Sequence, residues 1–381
     1  MTRIEPYRLF FPIGFVFALL GVAPWPLHAM GWLPYPGAFH RALMMQGFEL
    51  SFVVGFLLTA LPGFTHGPRC HAVELALPAL SLVAFAVAML ANLVVPAQAA
   101  FLLILLVLLV AAGRRVLGNR VGPPEEFLFV GFGLLLGLIG GWLQLAAALG
   151  PYEDPAPRFA ERLVSLGMVL SLVLGVGGLL VPVFAGMRNP LVIPKVAGPH
   201  ERRGRRGLYA ALLAVLALAF VAESSGRPGL GAILRAAAAS AIGLLVWKLW
   251  CLPGRRELPA FVLWGSGWLL LAGLWLAVLL PRNRVGVLHL VFIGGFGLLT
   301  LGIGTRVIVA HGKHPLEVER ATLAPAVIGA VALALAARVA SEFWPGAAGT
   351  LIGVSGALWV VAWLGWGMRA LPRIVRRGTP T

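Results

Sequence analysis

Apolar residues recur along this chain in long unbroken runs rather than as a one-sided stripe. A run of roughly 17–25 apolar residues is needed to cross a hydrocarbon core about 30 Å thick. Runs of that order lie near 9–30, 39–62, 72–92, 93–112, 126–150 and 160–185. Six more follow near 207–223, 228–252, 258–280, 285–310, 320–341 and 345–370. The pattern predicts an all-α, polytopic transmembrane bundle of about 12 helices with almost no extramembrane domain. The first run has a basic flank but no small-residue cleavage site, and it continues into Pro24, Pro26 and His28, so it reads as a retained helix and not a signal peptide.

Composition closes off the soluble classes. Hydrophobic residues make up 60% of the chain, charged residues 12%, and the mean hydropathy is +0.92, whereas soluble domains carry about 25% charged residues. Charge placement then sets the orientation. With the N-terminus inside, 20 Lys and Arg fall in inner segments and 5 in outer ones, Arg158, Arg162, Arg227, Arg282 and Arg284. That bias predicts both termini in the cytoplasm of a bacterial inner membrane. It also accounts for the formal charge of +16, since basic residues at the inner leaflet meet anionic membrane lipids, and no nucleic-acid partner is required. The basic stretch 186–206 divides the chain into an N-terminal six-helix half, 1–185, and a C-terminal six-helix half, 207–381. The division resembles an ancestral duplication, but no residue-level repeat relates the two halves.

Candidate chemistry lies in the polar residues placed within apolar runs, because burying them in hydrocarbon is costly and they face a bundle interior or cavity. The second run carries His40, Arg41, Gln46, Glu49, Ser51 and Thr59. Met44 and Gly47 share a helical face with His40. Glu49 lies near mid-depth, and Arg235 of the eighth run lies at a comparable depth by counting. The two are candidates for a structural interhelical pair or for a proton pathway.

The histidines sort into an outer set, His28, His40 and His289, and an inner set, His66, His71, His200, His311 and His314. Imidazoles from different helices at one depth are the usual holders of a membrane haem, which makes His40 and His289 the leading pair. His66, Cys70 and His71 are close in sequence but lack a second ligand pair for zinc. The only other cysteine, Cys251, also lies at an inner edge, so no disulfide is expected. Trp264, Trp268 and Trp275 share one face, as do Trp359, Trp363 and Trp366; both stripes read as packing.

Several motifs resemble those of the NnrS family, bacterial haem- and copper-containing membrane proteins of about twelve spans implicated in the response to nitric oxide. The most specific is Gly55-Phe-Leu-Leu-Thr-Ala-Leu-Pro62. The tenth run agrees, with His289-Leu followed by Gly295-Phe-Gly-Leu-Leu-Thr300 and Thr305-Arg-Val-Ile-Val-Ala-His311-Gly. Gly177-Gly178 with Val181-Pro-Val-Phe184, and Tyr7-Arg-Leu-Phe-Phe11, fit as well. The resemblance implies a haem-binding membrane protein involved in nitrosative stress, with non-covalent b-type haem and with nitric oxide or another diatomic gas as its partner.

The departures fall on the ligand-rich helix. The family pattern His-x-His-Glu-Met is here His40-Arg41-Ala42-Leu43-Met44, and the arginine after the glycine pair is Leu179. The resemblance therefore implies haem while placing copper in question. Cofactor-binding candidates are His40, His289, His311, Arg306 and Met44, with His40 and His289 as metal ligands and Arg282 or Arg284 available to propionates. Two other functions are compatible with the residues: a secondary transporter, from twelve helices and Glu49, and a redox enzyme resembling haem-copper oxidases or nitric oxide reductases, which has too few intramembrane histidines here.

Overall fold

A chain with this much apolar surface has to bond its backbone internally, since lipid offers no partner for N–H or C=O groups. In the computed structural model, which describes residues 5–117, 123–150, 156–187 and 199–376, every regular element is helical. Twelve apolar helices follow the predicted runs: α1 (Pro6–Ala29), α2 (Gly37–Thr65), α3 (Ala72–Leu90), α4 (Val94–Leu117), α5 (Phe127–Leu149) and α6 (Arg158–Phe184), then α7 (Gly204–Ser224), α8 (Pro228–Val246), α9 (Leu258–Leu279), α10 (Pro281–Gly312), α11 (Pro325–Ala340) and α12 (Pro345–Val375). Eleven are long and apolar enough to cross a membrane; α11, at 16 residues, is shorter. At 1.5 Å per residue it spans about 24 Å.

Boundaries are set by local chemistry. Proline opens α8, α10, α11 and α12, where a missing N–H costs nothing. The predicted run 228–252 ends early as a helix, at Val246, because Lys248 adopts a left-handed φ of 52°. The run 320–341 splits into a short helix, Glu317–Thr322, and α11. Of the expected 186–206 loop, residues 188–198 lie outside the described residues, while the helix leading into α7 already begins at Pro199. The basic run Glu201–Arg206 is thus a helical extension of α7 rather than a loop.

Among the described residues, four helices contain a stretch of π-helix: Leu43–Glu49 in α2, Leu163–Val169 in α6, Ile242–Val246 in α8 and Leu290–Gly297 in α10. Such wide turns are uncommon and concentrate at functional sites, because one extra residue re-aims the side chains around it.

The chain folds as two compact units, and their boundary differs from the six-plus-six division. Among the described residues, unit 1 comprises those of 5–22, 36–172 and 371–376, and unit 2 those of 23–35 and 173–370. The boundary falls inside continuous α6, whose first half packs on α5 and whose second half packs on Trp247. In unit 1, Phe11 stacks on Phe52 at 4.7 Å, and Arg8 donates to the carbonyls of Ile374 and Val375, tying the two chain ends together. The glycines of α5 divide by face: Gly133, Gly137 and Gly140 lie against α6, Gly141 lies against Phe101 of α4, and Gly131 faces open space.

Candidate functional site

The outer-set histidines share one hydrogen-bonding arrangement. His40 Nδ1 lies 2.8 Å from the Gly21 carbonyl, His289 Nδ1 lies 2.8 Å from that of Val285, and His28 Nδ1 lies 2.9 Å from that of Leu33. A carbonyl can only accept, so each Nδ1 carries the proton and the lone pair of the neutral ring falls on Nε2. Backbone orientation of Nδ1–H is the arrangement that fixes the tautomer of metal-ligating histidines. His40 and Met44 both lie against Gly21: a Cβ built there would sit 2.9 Å from Met44 Sδ, and Gly21 carries the carbonyl that orients His40. His40 precedes the π-helical stretch of α2 by three residues and His289 immediately precedes that of α10, so both stand where the helix widens. His28 belongs to an edge-on aromatic group with Trp25 and Tyr35.

Glu49 is buried, and Gln46, one turn before it, joins an amide cluster that the sequence pattern does not reveal. Gln46 Nε2 donates to Gln98 Oε1 at 3.1 Å and to Gln144 Oε1 at 3.0 Å, and Gln98 Nε2 donates back at 3.1 Å. Three helices of unit 1 are thereby joined through their amide side chains.

Arg235 is fully buried in unit 2, where the carboxylate of Glu223 from α7 meets it and the ring of Phe220 lies 4.8 Å from its guanidinium. Arg284 approaches the same carboxylate at 3.8 Å. Gly231 makes room for this pair, since a Cβ there would sit 2.5 Å from Glu223 Cγ. Arg235 thus has Glu223 as a carboxylate partner. Glu223 escapes sequence reading because it lies at a helix end, where a carboxylate ordinarily meets water.

At the opposite helix ends of unit 2, Arg306 is held at 2.8 Å by buried Glu319, which also receives Arg255 at 3.5 Å, while Arg255 pairs with Glu257 at 2.8 Å. Arg306 thus has a protein carboxylate, and His311 is exposed in the last turn of α10. The His66-Cys70-His71 segment has structural duties: His66 ends α2 in a left-handed conformation, His71 caps α3 in a reciprocal box with Glu74, and Cys70 donates to the Leu58 carbonyl. Burial pushes the Cys70 thiol pKa up against the opposing pull of the Arg115 guanidinium. Arg115 is itself buried and paired with Glu74 at 2.8 Å.

The tryptophan stripes are engaged in packing. Trp264 and Trp268 both donate to the Leu249 carbonyl, which the early end of α8 leaves accessible. Trp359, Trp363 and Trp366 stack in series, and Trp366 donates to Thr305 at 2.9 Å.

Thr305-Arg306, the Gly177-Gly178 pair and the entries of α2 and α10 are therefore all fixed by specific contacts, and they are the segments that carried the family resemblance. A family model described as NnrS protein matches residues 3–377. The chain belongs to the NnrS family. A search of curated proteins found no match. Membership covers the whole membrane domain, so the NnrS fold includes α1 through α12. Among the described residues, no group of three or more His, Cys, Asp or Glu side chains is placed to hold a metal ion.

Proposed function

We propose that this NnrS-family membrane protein binds b-type haem through an imidazole at the outer end of the bundle and acts in the response to nitric oxide in the bacterial inner membrane. The observation that carries the reading is the Nδ1-to-carbonyl arrangement at His40 and His289, which leaves Nε2 as the donor nitrogen on each ring. His40 in unit 1 and His289 in unit 2 are each a candidate to hold iron, Met44 lies beside His40, and Arg282 bears the charge that suits propionates. Haem supplies an iron position at which a diatomic gas binds. The protein's part is to orient the imidazole through a backbone carbonyl and to surround the iron with apolar helix.

The test is the visible spectrum of the detergent-purified protein, reduced and then exposed to nitric oxide. A Soret band that shifts with the gas, and that His289→Ala diminishes far more than His200→Ala, supports the reading. Colourless protein from haem-replete cells refutes it. Solute uptake by such protein in vesicles would then favour transport, for which Glu49 and the Gln46–Gln98–Gln144 cluster supply intramembrane polar groups.

A further inference from the structure

The turn that leads into His289 is too short to hold itself. α10 opens with one 3₁₀ turn, Pro281–Asn283, and a helix of four residues, Arg284–Val287, which a turn at Leu288 separates from the rest of α10. The first N–H groups of a helix have no partner inside it, and a single turn fixes several residues for one hydrogen bond, so such a piece does not persist alone. Yet Val285, in the middle of it, carries the carbonyl that lies 2.8 Å from His289 Nδ1. That carbonyl has to be fixed from outside α10.

Three tethers fix it, on the residues around Val285. Asn283 Nδ2 donates to the Glu342 carbonyl at 3.3 Å. Arg284 reaches the buried carboxylate of Glu223 in α7 at 3.8 Å. Gly286 lies under the side chain of Glu342, where a Cβ would sit 2.6 Å from Glu342 Cβ, 2.9 Å from Cγ and 2.5 Å from Oε2. Only glycine allows so close an approach. Glu342 is itself held, since Arg338, four residues before it, meets its carboxylate at 3.7 Å and donates to Ser341 Oγ at 3.0 Å. One residue of the segment between α11 and α12 therefore supplies two of the three tethers, through its carbonyl and through its folded side chain.

Beyond His289 the chain is fixed as well. A Cβ on Gly273 of α9 would lie 2.8 Å from both Leu290 Cβ and Val291 Cγ2, so α9 closes on the start of the π-helical stretch. The His289 ring then stands edge-on to Phe292 at 5.7 Å. An imidazole placed between two fixed backbone segments takes its tautomer from the one carbonyl it meets.

We propose that Glu342 is a positioning residue for His289: by holding Asn283 and Gly286 on either side of Val285, it keeps the Val285 carbonyl where it fixes the ring with Nδ1 protonated and Nε2 as the donor nitrogen. That Nε2 meets iron rests on the haem reading; the positioning rests on the tethers.

Magnetic resonance of the full-length protein carrying isotope-labelled imidazole nitrogens reads the tautomer at a pH where the rings are neutral. The His289 signals are those lost in His289→Ala. Glu342→Ala removes the folded side chain, Gly286→Ala expels it, and Glu342→Gln keeps its bulk. Gly267→Ala, whose Cβ would lie 2.7 Å from Leu249 Cδ2 elsewhere in unit 2, controls for destabilisation alone. The ratio of Nδ1–H to Nε2–H is expected to fall about tenfold in Glu342→Ala and Gly286→Ala, the worth of one hydrogen bond. It should hold at the wild-type value in Glu342→Gln and Gly267→Ala. An unchanged ratio in Glu342→Ala, or an equal fall in Gly267→Ala, would overturn the proposal. Glu342→Ala decides the outcome alone if Gly286→Ala fails to fold. Haem per chain is measured on the same samples, and its affinity should drop about tenfold or more wherever the tautomer is lost. Colourless wild type with the expected tautomer pattern would retire the haem reading and keep the positioning. Haem lost on His289→Ala, with tautomer and affinity unchanged in Glu342→Ala, would do the reverse.

Discussion

Replacing Gly177 by alanine puts a methyl group where the structure has an indole. A Cβ at Gly177 would lie 2.2 Å from Trp247 Cζ2, 2.7 Å from Cη2 and 3.0 Å from Cε2. Carbon atoms in contact sit about 3.5–4.0 Å apart, so the ring would have to retreat by about 1.3 Å. It has nowhere to go: Trp247 is 1% exposed, and its far edge lies against Gly267, where a Cβ would sit 3.2 Å from Cε3. Overpacking of a closed core costs up to about 3 kcal/mol. Alanine returns about 1 kcal/mol of helix propensity. The net loss of about 2 kcal/mol corresponds to about a 30-fold shift toward the unfolded state. Unfolding in mixed micelles, followed by circular dichroism, measures it. Gly131→Ala, where the added methyl meets nothing within 4 Å, is the matched control and should be neutral or stabilising. Trp247→Phe removes the crowding atoms, so it should restore part of the stability lost in Gly177→Ala while destabilising wild type. A Gly177→Ala protein as stable as Gly131→Ala would refute the reasoning.

Other outcomes follow from the charged and reactive groups. Glu319→Gln deprives Arg306 and Arg255 of a carboxylate that is 1% exposed; because both arginines are about a quarter accessible, the expected loss is about 1–2 kcal/mol. Glu257→Gln, at a 40% exposed carboxylate, should cost under about 1 kcal/mol, and thermal unfolding distinguishes the two. Cys70 is expected to react with maleimide more slowly than free cysteine at pH 8, since a raised pKa keeps it a thiol; the rate should climb about tenfold per pH unit until that pKa is passed. Fast labelling at pH 7 would contradict the burial argument. Alkaline phosphatase joined after Lys313 should be inactive and joined after Arg282 active, which measures the orientation drawn from the arginine bias; the reverse pattern would invert the topology.

Helix number and position were readable in the residues because apolar run length is tied to bilayer thickness, and each predicted run has its helix within a few residues except where Lys248 and Ala324 break the backbone. The packing of Trp359, Trp363 and Trp366 followed from their spacing on one helix face. The partners did not. Glu74, Glu223 and Glu319 each hold a buried or half-buried arginine, yet in sequence they are isolated acids near helix ends, and Gln98 and Gln144 stand on helices of their own. Run length and charge bias are sums over residues adjacent in the chain, so the sequence by itself determined membrane class, helix count and the positions rich in candidate ligands. Which arginine meets which carboxylate and which imidazole nitrogen keeps its proton depend on how helices distant in the chain pack, at places such as Gly177 and Gly231 where an added Cβ would clash, and only the tertiary structure decided them.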